Sequence, residues 1–193
     1  MEKHLLLKEL QAKHTFPDED FPKLISLFEE RSFRKNKMVF KAGEVVKEVY
    51  FILKGCMRQY YISPEGAERI IYFAQESNWC SELYSLLHET PTNLSTQALE
   101  DTETIFLSRK NWEIAMTTIP TFTMYHLKNH QRILVKLKEE VGKAVNESPD
   151  EKYRRLLKES PELLQRLPQY QIAAYLGITQ ETLSRIRKRN TKI

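Results

Sequence analysis

At 193 residues, 41% hydrophobic and 29% charged, with only 5 Gly and 8 Pro, the chain has the balance of a globular protein of one large or two small domains. That excludes collagen-like, low-complexity and disordered classes. The apolar start Leu5-Leu6-Leu7 is too short for a signal peptide and no stretch reaches the length of a membrane span, so a cytoplasmic protein with no membrane partner is expected. Net charge is +4, but between Ser148 and Ile193 ten Lys or Arg face five Asp or Glu, which leaves the first 147 residues at −1. A near-neutral body with a basic end points to a polyanionic partner at that end.

Between Arg31 and Ser108 the sequence reads as short strands divided by turn residues. Lys37 to Phe40 ends at Ala42-Gly43-Glu44, Val49 to Leu53 ends at Lys54-Gly55, and Met57 to Ile62 runs into Ser63-Pro64-Glu65-Gly66 before Arg69 to Phe73. Two further runs, Leu94 to Leu99 and Glu103 to Leu107, flank a turn at Glu100-Asp101. Aromatic and β-branched runs at this close spacing predict an antiparallel, jelly-roll-like barrel. From Ile119 to Asn146 the period becomes helical, with Pro120 where a first turn tolerates it. Leu127, His130, Leu134, Leu137, Val141 and Ala144 alternate spacings of three and four, as in a coiled-coil seam. Two uses fit that row: packing on the chain's own barrel, or a homodimer seam, which the length of the helix favours. Asn146-Glu147-Ser148-Pro149 then breaks the helix. The expected division is therefore 1–118 for the barrel, 119–147 for a dimerisation helix and 148–193 for a second domain, an α+β fold overall.

The segment Gln169 to Lys188 carries the most specific pattern. Ile172, Ala173, Leu176, Ile178, Leu183 and Ile186 form the inner faces of two short helices, Gly177 suits a helix end with positive φ, and Thr179 can cap the second helix. This is a helix-turn-helix, for which double-stranded DNA is the expected partner. Gln180, Glu181, Ser184, Arg185 and Lys188 fall on the outer face of the second helix. Glu181 can accept from a cytosine amine and Arg185 can grip guanine, with Thr179 beside them and Arg187, Lys188, Arg189 and Lys192 on phosphates. Glu181 and Arg185 also stand four apart, so a plain surface ion pair is the competing reading.

Taken in order, these parts resemble the Crp/Fnr family of regulators. Lys41-Ala42-Gly43-Glu44 before Val49-Tyr50-Phe51-Ile52-Leu53-Lys54-Gly55 is similar to the family's opening turn and strand, and Ile172 to Lys188 is similar to its DNA-reading motif. The resemblance covers roughly Phe21 to the end. It implies a cyclic-nucleotide-binding-like barrel, a homodimer, RNA polymerase as a candidate partner and a small-molecule effector pocket around Trp79, Cys80, Ser81, Glu82, Tyr84, Thr92 and Asn93. Within the stretch similar to the family's phosphate cassette Glu82 matches, but Ser81 replaces Gly, and Thr92 and Asn93 stand where an Arg and its small neighbour belong. A phosphate there lacks its bidentate partner, so tight cyclic AMP binding is not expected. The seven residues serve either a pocket for another ligand or the packing of the barrel. The tail ends soon after the second helix, so the β-wing that follows it in some members is expected to be absent or very short.

Enzymatic readings find little support. Cys56 and Cys80 lie far apart with no CxxC spacing, the usage of thiols in a reducing compartment, and no HxH pair, GxSxG or phosphate-cradling GxxxxGK occurs. His126 and His130 are four apart but lack the Glu of a zinc protease, so no metal or cofactor is expected. The remaining alternative is a dimeric ligand-sensing module that acts on a protein partner.

Overall fold

The architecture comes from a computed structural model, which describes residues 3–190 with the side chains of residues 144–146 excepted. Leu6 and Leu10, one helical turn apart and fully buried, define the inner face of α1 (His4–Lys13). A 3-10 turn (Asp18–Asp20) leads into the short α2 (Phe21–Ile25), with Pro22 in its first turn. Among the described residues eight strands follow: β1 (Glu29–Phe33), β2 (Met38–Phe40), β3 (Glu48–Lys54), β4 (Met57–Ile62), β5 (Glu68–Ala74), β6 (Trp79–Cys80), β7 (Ser95–Ala98) and β8 (Thr102–Ser108). A one-and-a-half-turn helix, α3 (Leu83–His88), separates β6 from β7. The strands form two sheets, ordered β1-β8-β3-β6 and β2-β7-β4-β5. Pairing is antiparallel, with Tyr50 opposite both Phe106 and Cys80 and Met38 opposite Gln97. This is the jelly-roll-like barrel that the hairpin spacing predicts.

Because β3 is covered on both faces, it reads as a continuous apolar run rather than an alternating one. Val49, Phe51 and Leu53, with Ile105 and Leu107 of β8, face the helical layer, where Leu6, Leu10, Leu24, Leu86 and Phe122 complete one core. Tyr50, Ile52 and Phe106 point the other way and build a second core with Phe33, Met57, Cys80 and Ala98. The turn after β3 requires glycine: Gly55 has φ +102°, and a Cβ there would lie 2.6 Å from Thr102 Oγ1 and 2.8 Å from the Asp101 carbonyl oxygen.

Behind the barrel, Ser108 caps α4 (Arg109–Thr118) by accepting from the Asn111 N–H at 3.2 Å. The 27-residue helix α5 (Pro120–Asn146) follows, then α6 (Pro149–Glu159), α7 (Pro161–Arg166), α8 (Gln169–Leu176) and α9 (Gln180–Asn190). The chain divides into two compact units, Met1–Gln59 with Phe73–Val135, and Tyr60–Tyr72 with Lys136–Ile193.

In the first unit, the opening turns of α5 bury Phe122, Tyr125, His126 and Asn129, the i, i+3, i+4, i+7 set of an inward helix face. His126 is enclosed by rings: Phe122 at 4.4 Å, Trp112 at 4.5 Å, Trp79 at 4.9 Å and Tyr125 at 5.0 Å between centroids. Its Nε2 is buried with no hydrogen-bond partner, and burial first, then the His130 charge, lowers its pKa to about 3. In the second unit, Tyr153, Leu156, Leu163, Leu167, Ile172, Ala173, Leu176, Leu183 and Ile186 are the buried apolar residues of the C-terminal helices.

Candidate nucleic-acid interface and barrel site

The helix-turn-helix is built as its residue types demand. Helix α8 ends at Gly177 with φ +71°, the left-handed cap that lets the chain turn within three residues into α9. Thr179 then caps α9, its hydroxyl accepting from the Thr182 N–H at 3.2 Å. Leu183 and Ile186 are fully buried against the α8 side, which fixes the opposite face of α9 outward. Thr179, Gln180, Glu181, Arg185, Lys188 and Arg189 are exposed, while Ser184 and Arg187 are half-buried. Glu181 and Arg185 stand 3.9 Å apart with side chains 83% and 67% exposed, so they are near enough to pair and open enough to be drawn away. Arg189 donates through Nη2 to Asp150 Oδ2 of α6 at 2.6 Å, with its side chain 67% exposed. Lys192 lies outside the described residues.

Along α5 the seam residues are open. Leu127, Leu134, Leu137 and Val141 are each about half exposed, Ile133 and Val135 beside them likewise, and His130 is exposed with its Nδ1 on the His126 carbonyl oxygen at 2.7 Å. The side chain of Ala144 lies outside the described residues. One helix therefore serves two faces: its inward face is covered by its own unit, and the row read as a seam is a different one.

The structure gives the seven effector residues different surroundings, most of them within the packing and capping of the barrel. Neighbouring strand residues point to opposite faces, so Cys80 enters the core between the sheets while Trp79 faces the helices and donates its Nε1–H to the Tyr125 hydroxyl at 2.9 Å. Burial pushes the Cys80 thiol up to about 12, a protonated and unreactive group. Glu82 caps α3, accepting from the Tyr84 and Ser85 N–H groups at 3.1 and 2.9 Å. Ser81 donates to the Glu48 carbonyl oxygen at 3.0 Å, and its own carbonyl accepts from Gln59. Buried Thr92 bonds Gly43 and Glu44 through its backbone and accepts from Leu94 N–H, Asn93 is exposed, and Tyr84, 65% exposed, lies against His88 with tilted rings 4.5 Å apart between centroids. A residue not anticipated from sequence, the fully buried Ser85, takes the Val46 N–H at 2.9 Å and donates to the Thr90 carbonyl at 2.5 Å. A groove of about 450 Å³ lies among Val45, Val46, Glu89, Ser108 and Arg109, and none of the seven lines it.

Sequence reasoning also passed over Arg155. Its guanidinium collects Glu159 one turn along its own helix and, through the fold, Glu140 and Glu147. Among the described residues no cluster of three His, Cys, Asp or Glu could hold a metal ion, and no helix is long and apolar enough to cross a membrane.

This geometry defines a class: a jelly-roll-like barrel followed along the chain by a long helix and a helix-turn-helix. Residues 30–118 match the cyclic nucleotide-binding domain family. The chain is 24% identical over 181 residues to the cyclic AMP receptor protein of Thermus thermophilus, covering 90% of this chain and 82% of the relative. Among solved structures, the catabolite activator protein of Thermus thermophilus aligns with a TM-score of 0.62 at 22% identity, covering 95% of this chain and 87% of that one. The c-di-GMP responsive regulator CLP of Xanthomonas campestris aligns with a TM-score of 0.73 at 13% identity, covering 91% and 92%. Residues 30–118 thus match the cyclic nucleotide-binding domain family, and the chain as a whole shares the fold of these solved structures.

Proposed function

We propose that the chain is a homodimeric, sequence-specific regulator that reads a pseudo-palindromic operator in the cytoplasm, with RNA polymerase as the protein partner it addresses there. The observation that carries this reading is α9: its apolar side is fully used inside the fold, so Gln180, Glu181, Ser184, Arg185 and Lys188 are left as a polar face with base-reading chemistry. The open row Leu127, Leu134, Leu137 and Val141 supports a two-fold partner, because an exposed apolar seam on a single helix costs solubility unless a second copy covers it. Two recognition helices about one DNA turn, ~34 Å, apart then require half-sites at that spacing.

Cyclic AMP is not the effector in this reading. Glu82 already spends its carboxylate on the α3 cap, and Thr92 and Asn93 offer no guanidinium to a phosphate. Isothermal titration is expected to show no binding at micromolar cyclic AMP; micromolar affinity would overturn the point.

Selection from a random DNA library by the purified, ligand-free protein tests the whole. An enriched inverted repeat with half-sites one turn apart is expected, with affinity falling linearly on a log–log plot against salt as phosphate contacts release counterions. A pool with no motif and a salt-insensitive residual affinity would refute DNA reading and leave the protein-partner module in its place.

A further inference from the structure

Three carboxylates from three stretches of chain converge on one guanidinium in the second unit. Arg155, on α6, places Nη1 2.7 Å from Glu140 Oε2 of α5. Its Nε donates to both oxygens of Glu147, in the joint between the helices, at 3.1 and 3.2 Å, and Nη2 lies 3.0 Å from Glu147 Oε2. Glu159, one turn further along α6, stands 3.8 Å from Nη1. The Arg155, Glu140 and Glu147 side chains are 25%, 30% and 19% exposed, so the group is largely withdrawn from solvent. Tyr175 of α8 shares its field: burial first, then the Glu140 charge, raises the phenol pKa, while Arg155 lowers it. One cluster therefore ties the end of the long helix and the joint to α6, and its charges reach Tyr175 of α8.

The geometry makes the Glu140 contact sensitive to angle. Only Glu147 and Ser148 separate α5 from α6, and Ser148 is locked in a capping box, its N–H donating to the Glu151 carboxylate at 2.7 Å and its hydroxyl accepting from the Glu151 N–H. Rotation between the helices must occur at this short joint. Glu140 lies six residues before the end of α5 and Arg155 six residues after the start of α6, so each sits ~9 Å from the joint at 1.5 Å rise per residue. A bend of about 20° there moves the two ends apart by ~3 Å, enough to break a 2.7 Å contact. The ion pair is compatible with a narrow range of angles, whereas the Glu147 contacts, beside the pivot, survive a wide one.

We infer that Arg155 is a positioning residue for DNA reading: by bridging α6 to Glu140 it sets the angle at which the helix-turn-helix leaves the long helix, and so the half-site spacing the dimer accepts. This inference rests on the DNA-reading dimer proposed above.

The test uses the full-length wild type, Glu140→Gln and Arg155→Met on inverted repeats of fixed half-site whose spacer changes one base pair at a time. Wild type is expected to prefer one spacer sharply. Glu140→Gln, which leaves Arg155 its other two carboxylates and so its place in the fold, is expected to reduce that preference about two- to fivefold, the worth of a partly exposed ion pair. Base preference within each half-site stays unchanged. A purely structural role would lower affinity equally on every spacer, so an unaltered spacer profile in Glu140→Gln overturns the inference. Should wild type enrich no inverted repeat, the DNA-reading proposal fails, and the angle is still measured directly. Spin labels on cysteines introduced at exposed Lys138 and Lys188, in labelled chains diluted with unlabelled ones, are expected to give a distance distribution that is narrow in wild type and broad in Glu140→Gln; equal widths overturn the angular role.

Discussion

His126 makes the first unit acid-sensitive in a way that can be worked out in advance. Enclosed by Trp79, Trp112, Phe122 and Tyr125, with His130 the titratable ring beside it, it holds its pKa at about 3 in the folded state. In the unfolded chain the same imidazole titrates near 6.5. The folded pKa is the lower one, so the unfolded state binds the proton first: stability is complete above ~6.5 and falls as the pH drops from there toward ~3. At about pH 5 the unfolded state gains ~2 kcal/mol from this residue alone, rising to an upper bound of ~5 kcal/mol below pH 3. His126→Phe keeps a ring in the cage and removes the titration together with an unpartnered buried nitrogen, whose burial is itself worth ~1–3 kcal/mol. Urea unfolding of both proteins at about pH 7.5 and pH 5 gives the comparison, since other carboxylates and histidines contribute equally to each. The difference between the two pH values is expected to shrink by ~2 kcal/mol in His126→Phe. An equal pH dependence in wild type and variant would refute the claim that the imidazole is kept neutral by its cage.

Gly55→Ala meets backbone atoms at 2.8 Å as well as the Thr102 hydroxyl, in a conformation with φ +102°, so a loss of at least ~2 kcal/mol is expected in thermal or urea unfolding. Leu137→Asp, at a half-exposed position of the α5 row, is expected to leave the monomer folded by circular dichroism while sedimentation shifts from dimer to monomer; an unchanged dimer would place the interface elsewhere. Arg185→Ala is expected to cost ~1–3 kcal/mol on the selected operator and relax base preference, whereas an equal loss on all sequences would assign Arg185 to phosphate.

What could be read from the sequence was whatever rests on local spacing and turn chemistry. The runs ending at Gly55 and Gly66 became β3 and β4, and the apolar positions from Ile172 to Ile186 with Gly177 between them became α8 and α9, because period and glycine position are set within a few residues. Helices with little apolar surface escaped: α4 buries only Trp112 and Ala115 along its ten residues, and its clearest mark was the Ser108 cap. Glu82 has a local use that the resemblance did not suggest, since its carboxylate caps α3 by accepting from the Tyr84 and Ser85 N–H groups. Charge partners were the least legible class. Arg189 and Asp150 are 39 residues apart and Arg155 reaches back to Glu140, and no local rule connects either pair. Helix α5 joins both lessons. Phe122, Tyr125, His126 and Asn129 and the row Leu127, Leu134, Leu137 and Val141 are both stripes of helical period, so spacing alone offers two inner faces for one helix. Burial separates them: the first stripe is closed by its own unit, the second is open, and that open apolar stripe is the feature on which the proposed homodimer rests.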